Sequence, residues 1–451
     1  SQNCYKLTKK MNNNDIFVEK LRSSGLRPTK QRIQICKFLF DRKKTFHFTI
    51  NDLNNSLKKI TIEKISLVAD KIISAKNDGD DVVVVVSAMS GETNRLLDLA
   101  KLVDSDVSGR ELDVLVSTGE QVTIALLSMT LIKKGFKAIS LTGSQAGILT
   151  DSVFNKARID SINNSTIKKY LNDDNIVIVA GFQGMTKDGD ITTLGRGGSD
   201  TSAVAISVAL DAKECQIFTD VDGVYTTDPR LSPGAKKIDN ITTEEMLELS
   251  SQGSKVLQPR AVEFAGKYDV GIRVLSTFDE GNGTLVNKEN DDQMEKAIIS
   301  GIAFNKDEAQ LTIRGVPDQP GIASLILGPI AKHNIDVDMI VQNVGEDGLA
   351  NFTFTVPRND FKIAMKSLEQ SSIQLKAKKV VGNNKIVKIS MVGVGMRTHP
   401  GIASKMFAVL ADNNINISMI STSEIKISIV TDEINLKNAV NVLHNAFELD
   451  K

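Results

Sequence analysis

Between Ile176 and Arg230 the chain reads IVIVAGFQGMTKDGDITTLGRGGSDTSAVAISVALDAKECQIFTDVDGVYTTDPR. An apolar, β-branched run ends in GFQG, a polar loop leads to GRGGSD, and a helical run follows over Asp200–Ala212. A second strand-like run, CQIFTD, then enters DVDGVY. Strand, glycine-rich loop and helix start in this order make an anion site. Glycines let backbone N–H groups come close to a ligand, and the unbonded N–H groups at a helix start point toward it. Ser199 and Asp200 are good N-cap types and mark the helix start. Arg196 adds a planar fork suited to a carboxylate or phosphate.

GRGG by itself is a weak signal. It gains weight from its neighbours, which occur in a fixed order: VVVVVSAMSGETN (Val82–Asn94), STGEQV (Ser117–Val122), LTGSQAGI (Leu141–Ile148), GRGGSD, TDVDGVYTTDPR (Thr219–Arg230) and GSKVLQPRAVEFA (Gly253–Ala265). This series closely resembles the aspartate kinases, members of the amino-acid kinase family, over roughly Glu63–Lys451.

The 451 residues are 41% hydrophobic and 24% charged, enough for two to four domains with real cores. The formal net charge is zero, which argues against a polyanion-binding role for the whole chain. The charge is uneven, with 14 Lys/Arg against 4 Asp/Glu in residues 1–60. Cys4, Cys36 and Cys215 are far apart and form neither a metal-ligand spacing nor a disulfide framework, so a cytoplasmic protein without a bound structural metal is expected. No apolar run approaches ~18 residues, so no membrane span is expected, and no signal peptide is visible. Ser1 in place of an initiator Met suggests a fragment or a trimmed chain, with Met11 as a start site.

Asp15–Asn55 suggests three short helices: one with Phe17 and Leu21, one opening at Pro28, and one over Asn51–Leu57 capped by Thr49. GLRPTKQR and the later HFT resemble the opening of a ferric-uptake-regulator-type winged helix. The recognition helix, wing and metal-binding remainder of that family are missing, and His47 alone makes no metal site. Nucleic-acid reading is not expected without the element that enters a groove.

Downstream, Ile62–Ala75 has helical spacing and Val82–Val86 reads as a strand buried on both faces of a parallel sheet. Helices follow at Thr93–Val103 and Glu111–Lys134, and the strands KAISL, IVIVAG, CQIFTD and IRVLS alternate with helical segments. This is an α/β sandwich with a mostly parallel sheet. Ligands belong at the carboxyl ends of its strands, where SAMSG, LTGS, GFQG and TDVDG fall. The resemblance implies that Thr93, Glu120, Arg196, Ser199 and Asp200 contact or organise L-aspartate, with Arg196 and Asp200 at the catalytic centre. Glu120 would take the ammonium or position Arg196. It implies nucleotide contacts at Thr219, Asp220, Tyr225, Arg230 and Lys255, with ATP and Mg²⁺ as cofactors. A β-carboxylate is ionised at pH 7 and needs no general base, so catalysis rests on positioning and charge neutralisation.

One departure stands out. Aspartate kinases begin with a strand ending in K-x-G-G-[TS]-S, and here the segment before Ile62 is FTINDLNNSLKKI, with no glycine between Gly25 and Gly79. Lys58 and Lys59 lack the glycine turn, and Ser56–Thr61 is a poor replacement for the missing strand. The functional alternative is therefore a catalytically impaired amino-acid-sensing protein.

Phe278–Met294 is polar and reads as a linker. After it a repeat appears: LTIRGVPDQPGIASLILGPIAKHNIDVDMIVQN (Leu311–Asn343) parallels VKISMVGVGMRTHPGIASKMFAVLADNNINISMIST (Val387–Thr422). The units resemble ACT domains, βαββαβ modules that bind amino acids. That resemblance implies effector contacts at Asp318, Gly321, Ile322, Ala323, Asp336 and Gln342, with Ser423 and Glu424 in the second unit. Lysine, threonine or both are the implied effectors, and paired ACT units imply a homo-oligomer. The expected domains are a partial winged-helix-like segment (1–60), a kinase domain lacking its first strand (61–278), a linker (279–297) and a tandem ACT region (298–451).

Overall fold

A computed structural model describes residues 50–288 and 298–451, with side chains from residue 62 onward. The chain divides into two compact units, residues 1–77 and 78–451. In the first unit Ile50–Asn77 forms one helix, α1. This corrects the expectation of a short separate helix at Asn51–Leu57 and of a strand substitute at Ser56–Thr61: the helix runs through both. The stretch contains neither glycine nor proline, so nothing local interrupts it. The remaining winged-helix features, with His47 and Thr49, lie outside the described residues.

The second unit opens with β1 (Val83–Val86), α2 (Glu92–Val103), α3 (Arg110–Lys133), β2 (Ala138–Leu141), β3 (Ile148–Thr150), β4 (Ile159–Ile162), α4 (Ser165–Asn172) and β5 (Ile176–Ala180). It continues with β6 (Gln183–Met185), β7 (Ile191–Thr193), α5 (Gly198–Leu210), β8 (Cys215–Thr219), β9 (Val224–Tyr225), β10 (Lys237–Ile238), β11 (Asn240–Thr242), α6 (Thr243–Ser251), α7 (Pro259–Tyr268), β12 (Ile272–Ser276) and β13 (Thr284–Asn287). β1 and β2 flank β5, all parallel. Every residue of β5 is buried, as a β-branched strand covered on both faces by helices must be. A second sheet runs β11-β13-β12-β8, with β12 and β8 parallel. A third, β4-β3-β6-β7, carries the chain toward GRGG.

β13 corrects the linker reading. TLVN lies inside the polar stretch yet pairs on both sides, with β11 and β12. Thr284 is fully buried, and its Oγ1 donates to Ile238 O at 2.6 Å and accepts from Val224 N at 2.8 Å. Residues 289–297 of the expected linker lie outside the described residues.

The C-terminal third contains β14 (Gly301–Asn305), β15 (Ala309–Pro317), α8 (Ile322–Lys332), β16 (Ile340–Val344), β17 (Leu349–Val356), α9 (Phe361–Ser372), β18 (Lys379–Asn383), β19 (Ile386–Val392), α10 (Ile402–Asp412), β20 (Met419–Thr422), β21 (Lys426–Asp432) and α11 (Leu436–Ala446). The first repeat is a contiguous βαββαβ unit with sheet order β16-β17-β15-β18. The second is β14-β19-β21-β20. Its fourth strand, β14, comes from before the first repeat and pairs antiparallel with β19. The expected simple tandem is therefore an insertion of one unit into the other. Each unit has its own core, around Phe352 and Phe354 in the first and around Ile389, Met406 and Leu443 in the second. Equivalent Met339 and Met419 share a small cluster with Ile386 and Val430, which ties the two sheets together.

Candidate active site

α3 is the helix that organises the site. By length and composition it is the one described helix apolar enough to cross a membrane, but half of that stretch is buried inside the protein. Its buried face carries two carboxylates, Asp113 and Glu120, which suits a core helix that serves a site.

Ser87, Ala88, Thr93, Glu120, Phe182, Arg196, Ser199 and Asp200, with Gly195, Gly197 and Gly198, line one cleft of about 220 Å³. All five residues expected at the aspartate subsite therefore meet in one place, although they come from α2, α3, the loop after β7 and the start of α5. The cleft lies beyond the carboxyl ends of β1 and β5.

Glu120 is 3% exposed, and its Oε1 accepts from Ala88 N–H at 3.0 Å. Its Oε2 is buried without a hydrogen-bond partner among the described residues. Burial lifts the carboxyl to about 7, against the pull of the Ala88 bond. Glu120 and Arg196 share no hydrogen bond or ion pair among the described residues. Arg196 is exposed on the rim and makes no ion pair among the described residues.

The helix start differs from expectation. The N-cap is Gly197, at φ 71°, with no side-chain cap, so Ser199 and Asp200 fall inside the first turn. Their N–H groups take no backbone partner among the described residues and remain available to an anion. Gly197 is demanded twice, by its positive φ and because a Cβ there would lie 1.9 Å from Gln258 Cγ. Gln258 is the N-cap of α7. Burial raises the Asp200 carboxyl to about 6, against an opposing pull from the Gln258 backbone N–H.

The nucleotide candidates lie around the end of β8. Thr219 closes the strand, and its Oγ1 lies 3.4 Å from Asp220 Oδ1. Tyr225 OH donates to Asp222 Oδ1 at 2.9 Å, and Lys237 reaches the same carboxylate at 3.5 Å. Arg230 forks onto Asp228, two residues away, and both are held by that turn. Lys255 is exposed, three residues before Gln258. None of these five lines the cleft described above. Asp222 and Lys237 are polar neighbours that motif reading did not single out; only the short β9–β10 hairpin brings them together.

The effector candidates sit on the ACT units. Gly321 caps α8 at φ 90° and its counterpart Gly401 caps α10 at φ 91°, so the two PGIAS loops have the same backbone shape. Asp318 N–H donates to Gly348 O, Ile322 is buried, and Ala323 packs against the first core. Asp336 is exposed ahead of β16, and Gln342 lies on β16, an edge strand whose every residue is exposed. Ser423 and Glu424 follow β20, with Glu424 3.2 Å from Arg397. His399 Nδ1 lies 2.9 Å from Gly395 O, a helix-end contact.

Three comparisons bear on this arrangement. The model of the amino acid kinase family matches residues 51–276, and ACT domain models match residues 310–371 and 389–447. Aspartate kinase Ask_LysC of Stutzerimonas stutzeri is 60% identical over 390 residues, 86% of this chain and 95% of that protein. The aspartokinase of Pseudomonas aeruginosa is also 60% identical, over 391 residues, with the same coverage of both chains. The structure of Escherichia coli aspartokinase III in complex with aspartate and ADP superposes with a TM-score of 0.70 at 25% identity, covering 85% of this chain and 96% of that one. These similarities favour the enzyme over the impaired sensor. With the cleft, the α/β body and the paired ACT units, they establish that the chain belongs to the aspartate kinases, phosphotransferases with a carboxyl group as acceptor.

Proposed function

We propose that the cleft binds L-aspartate and that ATP donates its γ-phosphoryl to the substrate β-carboxylate, giving 4-phospho-L-aspartate, the first step toward lysine, threonine and methionine. The observation that carries this reading is the buried Oε2 of Glu120, which has no hydrogen-bond partner among the described residues, on a side chain that lines the cleft together with Arg196. An orphaned, desolvated carboxylate oxygen is costly unless a cation meets it. A substrate ammonium supplies one, and Arg196 takes a substrate carboxylate with its planar fork. The first-turn N–H groups of Ser199 and Asp200 then stabilise negative charge near the transferring group.

The nucleotide is assigned to the β8 end, with Thr219, Asp220, Tyr225, Arg230 and Lys255 as its contacts. The related Escherichia coli enzyme was solved with aspartate and ADP. When bound with the nucleotide, Mg²⁺ would supply neutralisation of the charge on the transferring group. Asp200, its carboxyl pushed to about 6, is the cleft carboxylate that such a cation would return to the charged form.

The ACT units are assigned feedback binding of lysine, threonine or both, through Asp318, Gly321, Ile322, Ala323, Asp336, Gln342, Ser423 and Glu424. The Escherichia coli enzyme was also solved with lysine and aspartate. The chain is read as a cytoplasmic homo-oligomer paired through these units. Its N-terminal segment is read as a ferric-uptake-regulator-like opening standing where the family carries its phosphate-binding strand.

The test is Mg-ATP-dependent formation of aspartyl hydroxamate by the purified chain, with glutamate as control acceptor. Aspartate-specific product supports the reading. Equal use of glutamate, or nucleotide binding without any aspartate binding, would defeat it.

A further inference from the structure

The carboxylate of Asp113 is fully buried, and no lysine or arginine is paired with it among the described residues. Four donors from two separate segments converge on it instead. Thr193 gives its backbone N–H at 2.8 Å and its Oγ1 hydroxyl at 2.6 Å. Asn155 gives its backbone N–H at 2.9 Å and its side-chain amide. A buried charge held only by neutral hydrogen bonds is expensive to maintain, and an acceptor-only group explains why it is kept. An asparagine there would turn an N–H₂ group against at least one of these donors.

Thr193 is the last residue of β7, three positions before Arg196. Leu194 is pinned next, its N–H by Phe182 O at 2.8 Å and its carbonyl by Arg260 Nη1 at 2.9 Å. The guanidinium of Arg260 also binds Ala157 O at 3.0 Å, and Ala157 N–H returns to Thr193 O at 2.9 Å. Asn155 ties the same cluster to the start of α3, where its Oδ1 accepts from Gly109 N–H at 2.7 Å. The strand that delivers Arg196 is thus anchored to the first turn of α3.

The same helix carries Glu120 seven residues further on, roughly 10 Å along the axis and on the same buried face. There Gly119 lets α3 approach the Ser87–Ala88 loop so closely that a Cβ would lie 2.9 Å from Ala88 Cβ. α3 therefore fixes the separation between Arg196 and Glu120. We propose that Asp113 is a positioning residue for the amino-acid substrate: it sets the distance between the carboxylate-binding arginine and the ammonium-binding glutamate without touching the substrate. This rests on the assignment of Arg196 and Glu120 to L-aspartate.

The experiment is calorimetric binding of L-aspartate and, separately, of Mg-ADP to the full chain and to Asp113→Asn, with the melting temperature of each. Wild-type chain that binds aspartate, with Asp113→Asn weakened at least tenfold for aspartate and less than twofold for Mg-ADP, supports the inference. Thr193→Val, which deletes only the hydroxyl donor, should weaken aspartate about threefold, and Thr193→Ser should restore it. These two variants carry the test if Asp113→Asn does not fold. Equal losses for both ligands, or unchanged aspartate affinity in Asp113→Asn or Thr193→Val, would overturn it. A wild-type chain that binds Mg-ADP but not aspartate would instead remove the substrate assignment, and the inference with it.

Discussion

Nε2 of His444, on the last helix of the chain, lies 2.9 Å from Oγ1 of Thr226, in the connection that leaves β9 toward β10 on the proposed nucleotide side. The contact joins two segments separated by more than two hundred residues. It is reinforced by Asn441 Nδ2, which donates to Leu231 O at 3.2 Å. The second ACT unit thus touches the TDVDGVYTTDPR segment through one buried polar contact at Thr226 and a part-buried one at Leu231, just beyond it.

The first prediction concerns pH. Burial holds the His444 imidazole below its ordinary value of 6.5, with Asp450 pulling weakly the other way. The folded pKa is depressed, so the unfolded chain binds a proton first. The contribution to stability is complete above 6.5 and falls as pH drops below it. His444→Gln keeps a side chain able to bond Thr226 but does not titrate. Its melting temperature should fall less than that of wild type between pH 7.5 and 5.5. Parallel curves would show that His444 does not contribute to the acid sensitivity.

Glu120 has the opposite sign. Its carboxyl is raised to about 7, mainly by burial, so the folded chain holds a proton that the unfolded chain releases near 4.5. Stability is lost as pH rises from that range through 7, by an amount on the order of 3 kcal/mol. Glu120→Gln should therefore melt higher than wild type at pH 8, with a smaller difference at pH 5, while binding aspartate much more weakly. A variant that is less stable at pH 8 would contradict the desolvated carboxylate.

Arg196→Ala should cost roughly 2–5 kcal/mol of aspartate affinity, because a substrate carboxylate is left unpaired in the cleft. Nucleotide affinity should barely change. Lys255→Ala should show the reverse pattern. Titrations of each ligand against each variant separate the two cases, and equal loss of both ligands would assign these residues a structural role.

Gln342 lies on an exposed edge strand, where its loss disturbs no core. Lysine or threonine at millimolar concentration should raise the melting temperature, since a ligand that binds only the folded state stabilises it. Gln342→Ala should reduce that rise and leave the unliganded melting temperature within a degree or so. Absence of binding heat with either amino acid would count against feedback binding.

The last prediction addresses the N-terminal departure. Replacing residues 1–60 with a strand ending in K-F-G-G-T-S should raise aspartyl hydroxamate formation by about 10²–10³, the cost of losing a preorganised donor in other enzymes. Activity within a few fold of the unreplaced chain would mean that another group already supplies that charge.

Much of the site was legible in order along the chain. GRGGSD, STGEQ and SAMSGETN each carry a local reason for their residues: glycine for close approach, a fork for a carboxylate, a helix start for an anion. The fold brings Thr93, Glu120, Arg196, Ser199 and Asp200 to one cleft. Residues that act only through other residues left no such trace. Asp113 precedes STGEQ as an ordinary acidic position near a helix start, and only folding brings Thr193 and Asn155 to it. The pairing of β13 was hidden for a similar reason, because TLVN sits among glycines and charges and its partners β11 and β12 are distant or loop-separated in sequence.

The sequence by itself determined the α/β class, the strand-end location of the ligand loops and the repeat of the ACT units. These follow from short-range patterns: β-branched runs, helical spacing, and PGIAS occurring twice. Tertiary structure alone decided that β14 completes the second ACT sheet across the intervening first unit, and that His444 closes on Thr226. It also decided which oxygen of Glu120 is left without a partner. Each of these depends on which groups are buried together, because a polar group taken out of water needs a partner that only the tertiary fold can bring to it.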